Sequence, residues 1–188
     1  MEISPVILAV VIVAAFAVLA GVWFTLRRKR SRDLRERFGP EYERVVRSAD
    51  DRRLAEKRLV ERERRVEKLS LRPLSREERN RFSQRWRVVQ ARFVDDPSSA
   101  VEDGDRLIQE AMKARGYPVG DFERRAADLS VDHALVVQNY REARDIAERN
   151  RRGEASTEDL RRALVHQRSL FEELLEQPGL VEEVRHAG

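Results

Sequence analysis

The chain opens with a long run of apolar residues and then changes to a pattern of charged and apolar positions at helical spacing. Residues 3–26 hold no charged side chain. A helix of about 20 apolar residues is long enough to cross a hydrocarbon core of about 30 Å. Trp23 lies near the end of the run, where aromatic side chains favour a membrane interface. The pattern therefore predicts a transmembrane anchor over residues 1–26.

Five cations follow the apolar run directly, namely Arg27, Arg28, Lys29, Arg30 and Arg32. Cations beside a membrane segment favour the cytoplasmic side, so we expect an inner-membrane protein with its N-terminus outside and the rest in the cytoplasm. The alternative, a cleaved signal peptide, carries positive charge before its apolar run, where this chain has only Glu2. The prediction is an uncleaved single-pass anchor whose membrane interface consists of Trp23 and these five cations.

Gly39 and Pro40 predict the end of the anchor helix and the start of another, since proline suits a first helical turn. The apolar positions of residues 40–69 keep no sustained heptad. This pattern is typical of a solvated stalk helix stabilised by ion pairs, with a weak coiled coil as the alternative. Residues 27–72 are therefore predicted to form a basic juxtamembrane segment and a long charged stalk.

The pattern after residue 73 predicts a compact module. Ser75 and Glu78 match a capping box at a helix start. The large apolar residues that follow recur at spacings of four, three and four on one helical face, and they are Phe82, Trp86, Val89 and Phe93. This spacing predicts a helix that packs into a core.

The rest of the module shows further helix boundaries. Asp96 and Pro97 suit a helix start, and Gly116 suits a helix end. A short helix is expected around residues 122–129 and a longer one from about 132 to 150.

Ser156 and Asp159 predict the start of a last helix. No long run alternates with period two. The predicted fold class is all-α, with the N-terminal transmembrane helix, the stalk helix and a bundle of four to five helices over residues 73–178. Residues 179–188 are predicted to be a flexible tail.

Charge is distributed unevenly along the chain. Residues 33–94 have a net charge of +7, and residues 95–188 have a net charge of −7. Anionic lipid attracts a basic segment next to a membrane, so lipid headgroups are the expected partner of the basic half. A membrane tether for nucleic acid is the alternative, although the acidic half would repel phosphates.

The stretch from residue 114 to residue 133 is the densest in candidate chemistry. Its carboxylates, turn residues and histidine can each serve a local backbone role, and neighbours such as Asp132 and His133 do not face each other on a helix. No catalytic residue, metal ligand or cofactor site is predicted, because no zinc motif and no glycine-rich phosphate loop is present. We interpret the stretch as a helical corner and as a candidate partner surface comprising Tyr117, Asp121, Asp128, Asp132 and His133.

The segments "RFVDDPSSAVEDGDRLIQEAMKARGYP" and "RAADLSVDHALVVQNYREA" resemble a family of small, uncharacterised, single-pass membrane-anchored helical proteins of high-GC bacteria. The resemblance covers roughly residues 75–175. It implies a helical cytosolic module, and because the family has no assigned activity, no functional residue is carried over.

The expected function is that of a non-enzymatic scaffold or adaptor presenting the module to a cytoplasmic protein. The first alternative is a ligand-binding or enzymatic helical domain whose site converges from distant residues, such as Tyr140, His166, Asp128 and Arg124. The second alternative is the membrane tether for nucleic acid. Ala17 and Gly21 also form a pair of small residues at a spacing that lets helices approach, which would allow a homo-oligomer.

Overall fold

The computed structural model describes residues 5–176 of the chain. This part consists of seven α-helices without a β-strand, so the all-α prediction is confirmed for it. The helices are α1 Pro5–Arg47, α2 Arg52–Val66, α3 Arg76–Arg92, α4 Pro97–Arg115, α5 Phe122–Leu129, α6 Ala134–Arg151 and α7 Thr157–Leu175. The tail predicted over residues 179–188 lies outside the described residues.

The predicted transmembrane helix is wrong. None of the helices in residues 5–176 combines the length and the apolar character that crossing a membrane requires. The helix that begins in the apolar run continues through the charged residues that follow it, and α1 is 43 residues long. The apolar run is therefore the first part of a helix whose later part is rich in charged residues.

The predicted stalk is also wrong. Gly39 has φ 45° and ψ −124°, so α1 bends at the predicted break, and a residue with a Cβ would be strained there. The chain breaks again after Arg47, and Asp51 caps α2 by accepting a hydrogen bond from the Arg53 backbone N–H. Residues 27–66, which we call the basic unit, thus fold into packed helices.

The basic unit has an apolar core of its own. Its buried members are Leu34, Phe38, Tyr42, Val45, Ala55, Leu59 and Val66, joined by Val131 from the C-terminal module. These positions keep no heptad because each helix contributes only a few of them, and the burial is shared between α1 and α2.

Helices α3–α7 form the C-terminal module around a larger apolar core. The predicted core face of α3 is confirmed, since Phe82, Trp86 and Val89 are buried and Phe93 is partly buried. Trp86 stacks on Phe171 of α7 with ring centroids 4.7 Å apart.

Most predicted helix boundaries in the module are confirmed. Ser75 and Glu78 form the capping box of α3, and Ser156 and Asp159 form that of α7. Helix α5 covers residues 122–129 as predicted. These boundaries are set locally, because each cap satisfies backbone N–H groups within the same turn.

Helix α4 starts and ends as predicted. Asp96 accepts from the Ser99 backbone N–H, Pro97 is the first helical residue, and Gly116 ends the helix in the left-handed region at φ 97°. A Cβ at Gly116 would lie 2.6 Å from the backbone oxygen of Ser70. Glycine is needed here both for its conformation and for this close approach to the chain that precedes α3.

The predicted start of α6 is corrected. The helix begins at Ala134, and His133 occupies the cap position without a side-chain cap bond. Ser130 before it donates to a backbone carbonyl of α5, and Asp132 accepts from the Tyr117 hydroxyl.

Candidate functional site

The corner between α4 and α6 is partly buried by the rest of the chain. Of the five residues predicted as a partner surface, Tyr117, Asp128 and His133 are buried, and only Asp121 and Asp132 are exposed. Asp121 caps α5 through a 3.0 Å bond from the Arg124 backbone N–H. The structure therefore places most of this set at internal contacts.

Asp128 is the most deeply buried carboxylate of the corner. Its side chain has no exposed area, and its Oδ1 accepts a 2.7 Å hydrogen bond from Nε of Arg65 on α2. A buried charge is tolerated only when it is paired, and removal of one partner is strongly destabilising. This ion pair therefore connects the basic unit to α5.

Glu41 forms a second buried connection. Its carboxylate accepts from Arg44 at 2.8 Å, from Arg62 at 2.8 Å and from Arg141 at 3.2 Å. Arg44 shares α1 with Glu41, whereas Arg62 lies on α2 and Arg141 on α6. One carboxylate thus ties three helices together.

The charge state of Glu41 follows from this arrangement. Burial alone would raise the pKa of the carboxyl group, but the guanidiniums of Arg44, Arg141 and Arg62 outweigh burial and hold the pKa at about 2. Glu41 is therefore ionised at neutral pH, and we call this cluster of Glu41 and three arginines the Glu41 node.

Further contacts complete the seam between the basic unit and the corner. Arg62 Nη1 lies 3.3 Å from the hydroxyl of Ser130, and Nε of Arg37 lies 3.5 Å from the backbone oxygen of Val131. The side chain of Val131 enters the apolar core of the basic unit. The basic and acidic halves of the chain thus pair with each other within one molecule.

Sequence reasoning missed the residues that make this seam, namely Glu41, Arg62, Arg65 and Arg141. One feature of the sequence could have indicated a buried ion pair at Glu41. Glu41 lies four residues before Val45, so it falls on the same helical face as this apolar residue. A carboxylate at such a position needs a buried partner.

The remaining ionisable groups of the corner are also held in fixed environments. Burial lowers the pKa of His133, and this effect is partly opposed by Glu173, whose carboxylate lies 3.3 Å from Nδ1. Burial also raises the pKa of the Tyr117 hydroxyl, which donates to Asp132 at 3.0 Å. These groups stabilise helix packing, consistent with the interpretation of the stretch as a corner.

A cleft with a volume of about 810 Å³ lies between α1 and the α5–α6 region. Its lining includes seven carboxylates and four guanidiniums. Phe122 lies in it with the guanidinium carbons of Arg141 and Arg144 at 6.0 and 5.4 Å from its ring centroid. Asp145 is exposed there and has no ion pair in the described part of the chain. We call this feature the acidic cleft.

The predicted membrane-interface residues lie on α1, at the start of the basic unit and directly before it. Trp23 and the cations at positions 28, 29, 30 and 32 are exposed, and Arg27 is half-buried. The fold of α2 places its own cations beside them, namely Arg52, Arg53, Lys57 and Arg64. The stalk interpretation missed this second set because a straight stalk would carry it away from the first.

The four residues considered for a convergent site are not brought together. The Tyr140 hydroxyl donates to Asp105 at 2.6 Å, His166 Nε2 lies 3.3 Å from Glu142, Asp128 pairs with α2, and Arg124 is exposed. Each has a separate environment.

Within residues 5–176, no group of three or more His, Asp or Glu side chains is placed to hold a metal ion. No family model, curated protein or solved structure matches this chain.

Proposed function

We propose that this protein is a non-enzymatic adaptor that holds its helical module at an anionic membrane surface and offers the module to another protein. The observation that carries the proposal is the composition of α1. Its first part exposes apolar and cationic side chains, and its last part is buried against α2 and α6. One element thus links a surface suited to lipid with the folded module.

The membrane contact is supported by a group of exposed apolar side chains on α1, namely Phe16, Val18, Leu19, Val22, Trp23, Phe24 and Leu26. Contiguous exposed apolar surface marks an interaction site. The guanidinium of Arg28 lies 4.2 Å from the ring centroid of Phe24, so cations stand at the edge of the apolar surface. Apolar groups bordered by cations suit the boundary between acyl chains and anionic headgroups.

The link to the module is supported by the Glu41 node and the Arg65–Asp128 pair. Both join the basic unit to α5 or α6 through buried charges. Charged pairs of this kind fix one relative arrangement, because an alternative packing would leave a buried charge unpaired. The module would therefore keep a defined orientation at the membrane surface.

The partner side of the adaptor is proposed at the acidic cleft. Its carboxylates outnumber its guanidiniums, and Phe122 adds an apolar surface between them. Charge complementarity favours a cationic, partly apolar segment of another protein.

The membrane contact is tested with the full-length chain and vesicles of phosphatidylcholine with or without phosphatidylglycerol. We expect binding to the anionic vesicles and a blue shift of the fluorescence of Trp23, which is 58% exposed. Trp86 is only 5% exposed, so its emission should change little. Equal binding to neutral vesicles, or no binding, would refute an anionic surface as the ligand.

The partner contact is tested by gentle purification of the full-length protein after crosslinking, comparing wild type with two charge reversals. Asp145→Lys alters the acidic cleft, whereas Glu102→Lys alters an exposed carboxylate on α4 outside it. One stoichiometric partner lost only with Asp145→Lys is expected. A partner retained by both variants would exclude the cleft as the contact.

A further inference from the structure

The cations of α1 form a common surface with cations of α2. A cleft of about 470 Å³ is lined by five arginines and one carboxylate, and the arginines are Arg27, Arg28, Arg32, Arg35 and Arg52. A second cleft of about 460 Å³ is lined by five cations and two carboxylates. The two clefts share Arg27 and Glu56, so they adjoin each other, and each is lined by cations of both helices.

The carboxylate of Glu56, which lines both clefts, accepts hydrogen bonds from other side chains of the protein. Oε1 of Glu56 accepts hydrogen bonds from Ser31 at 2.7 Å, Tyr42 at 2.8 Å and Arg52 at 3.0 Å. Its negative charge is therefore paired with the positive charge of Arg52.

Several cations on this surface have no carboxylate within ion-pair distance in residues 5–176. They are Arg28, Arg30, Arg32, Arg53 and Arg64, all of them exposed. Most other arginines of residues 5–176 are paired with a carboxylate, and this unpaired group also lies in clefts that contain Trp23 and Phe24. An external anion is the chemistry that it can bind.

The same clefts contain apolar groups. Phe24 lines the first, and Trp23 lines the second beside Val60 of α2. The guanidinium of Arg27 lies 5.3 Å from the centroid of the Trp23 ring. A ligand that matches the surface must combine anionic groups with an apolar part, which describes a phospholipid better than a nucleic acid.

We infer that α1 and α2 together form a composite site for the phosphate headgroups of an anionic bilayer. The guanidiniums of the two helices bind the phosphate oxygens, and the rings of Trp23 and Phe24 lie toward the acyl chains. Guanidinium is well suited to this role because its planar fork pairs with two oxygens of one phosphate. The inference rests on the proposed membrane contact and adds α2 as part of the binding surface.

The test compares two triple variants of the full-length chain in vesicle flotation. Arg53, Lys57 and Arg64 on α2 are changed to Gln, and the matched control changes Arg76, Arg81 and Arg87 on α3 to Gln. All six side chains are exposed, and both variants lose the same charge. Vesicles contain phosphatidylcholine with phosphatidylglycerol, and vesicles of phosphatidylcholine alone serve as the reference.

We expect the α2 variant to lose at least about tenfold in affinity for anionic vesicles at low salt, because each cation near such a surface contributes substantially to binding. The α3 control should change by less than about twofold. A variant that keeps the charge, with Arg53→Lys, Lys57→Arg and Arg64→Lys, should bind nearly as the wild type.

The outcomes separate the two proposals. If the wild type binds anionic vesicles and the α2 variant binds equally well, the composite site is wrong while the membrane contact stands. If the wild type does not bind, the membrane contact itself fails. A loss of binding in the charge-keeping variant would show that the α2 effect is structural, and displacement of vesicles by equimolar duplex DNA would exclude lipid as the preferred occupant. Each of these results would overturn the inference.

Discussion

The C-terminal module and the seam that joins it to the basic unit use different interactions. The module is held by a continuous apolar core in which Trp86 and Phe171 stack. The seam combines a small apolar contact at Val131 with buried charges at Glu41 and Asp128. Apolar packing depends on area and volume, whereas buried ion pairs depend on geometry.

The apolar core is expected to determine the stability of the module, and the buried charges are expected to determine how the basic unit is attached to it. Loss of apolar contacts should lower the stability of the module as a whole. Loss of a buried charge should instead release the basic unit, because its small core offers few other contacts. The orientation of the basic surface relative to the module is therefore expected to depend on charge.

The largest effect is expected from Phe171→Ala in the module core. Phe171 is 2% exposed and contacts both Trp86 and Phe82, so the substitution leaves a cavity. Substitutions of this kind cost about 3–5 kcal/mol. Denaturant unfolding followed by circular dichroism measures the change.

The matched control on the same helix is Val165→Ala, which removes apolar atoms from a side chain that is 49% exposed. The Val165→Ala substitution should lower the free energy of unfolding by much less than Phe171→Ala does. Equal losses for the two variants would show that the α7 face assigned to the core is not the one that carries stability.

The next effect is expected from Glu41→Gln in the seam. The substitution leaves Arg44, Arg62 and Arg141 without their buried anion. Removing one partner of a buried ionic cluster costs about 3–5 kcal/mol, and the lower end is expected because these guanidiniums are not fully buried. Hydrogen exchange should accelerate in α2 while α4 and α7 stay protected.

Glu43→Gln is the control for the seam. Glu43 lies two residues away and pairs with Arg35, but its side chain is 45% exposed. The Glu43→Gln substitution should leave hydrogen exchange in α2 unchanged. Acceleration throughout the module with Glu41→Gln would contradict a locally acting node.

The pH dependence provides a smaller and graded test of the same node. The folded-state pKa of Glu41, about 2, lies below its ordinary value of 4.5, so its contribution is fully present above pH 4.5 and is lost as pH falls towards 2. At pH 3.5 the contribution of Glu41 to the free energy of unfolding should be about 1.5 kcal/mol smaller than at neutral pH.

The measurement is the free energy of unfolding of wild type and Glu41→Gln at several pH values, because other carboxyl groups titrate in both proteins. The difference between them should shrink as pH falls from 4.5 to 3. A constant difference would mean that Glu41 does not ionise as the geometry implies.

Local chemistry explains why parts of the fold could be predicted from the sequence. The caps at Ser75, Asp96, Asp121 and Ser156 act on backbone groups of their own turns, so nearby residues suffice to identify them. The core face of α3 was predictable for the same reason, since its spacing is a property of one helix.

The position of the basic unit could not be predicted in this way. Glu41 and Arg141 are separated by 100 residues, and the chain offers 34 arginines as partners, so composition alone selects none of them. The turn before α2 contains neither glycine nor proline, and the apolar residues of residues 40–69 are divided between two helices. The composite basic surface was missed as a consequence.

The smallest effect is expected from Arg168→Gln on α7. Arg168 and Glu172 form an ion pair of 2.6 Å, shorter than any contact of Glu41, yet their side chains are 53% and 55% exposed. Solvent screens such a pair, and i,i+4 pairs on helices contribute about 0.3–0.5 kcal/mol. The unfolding free energy of Arg168→Gln should therefore fall by no more than this, and added salt should remove most of the difference. A loss as large as that of Glu41→Gln would show that burial does not decide the strength of ion pairs in this protein, and the contrast between seam and surface would fail.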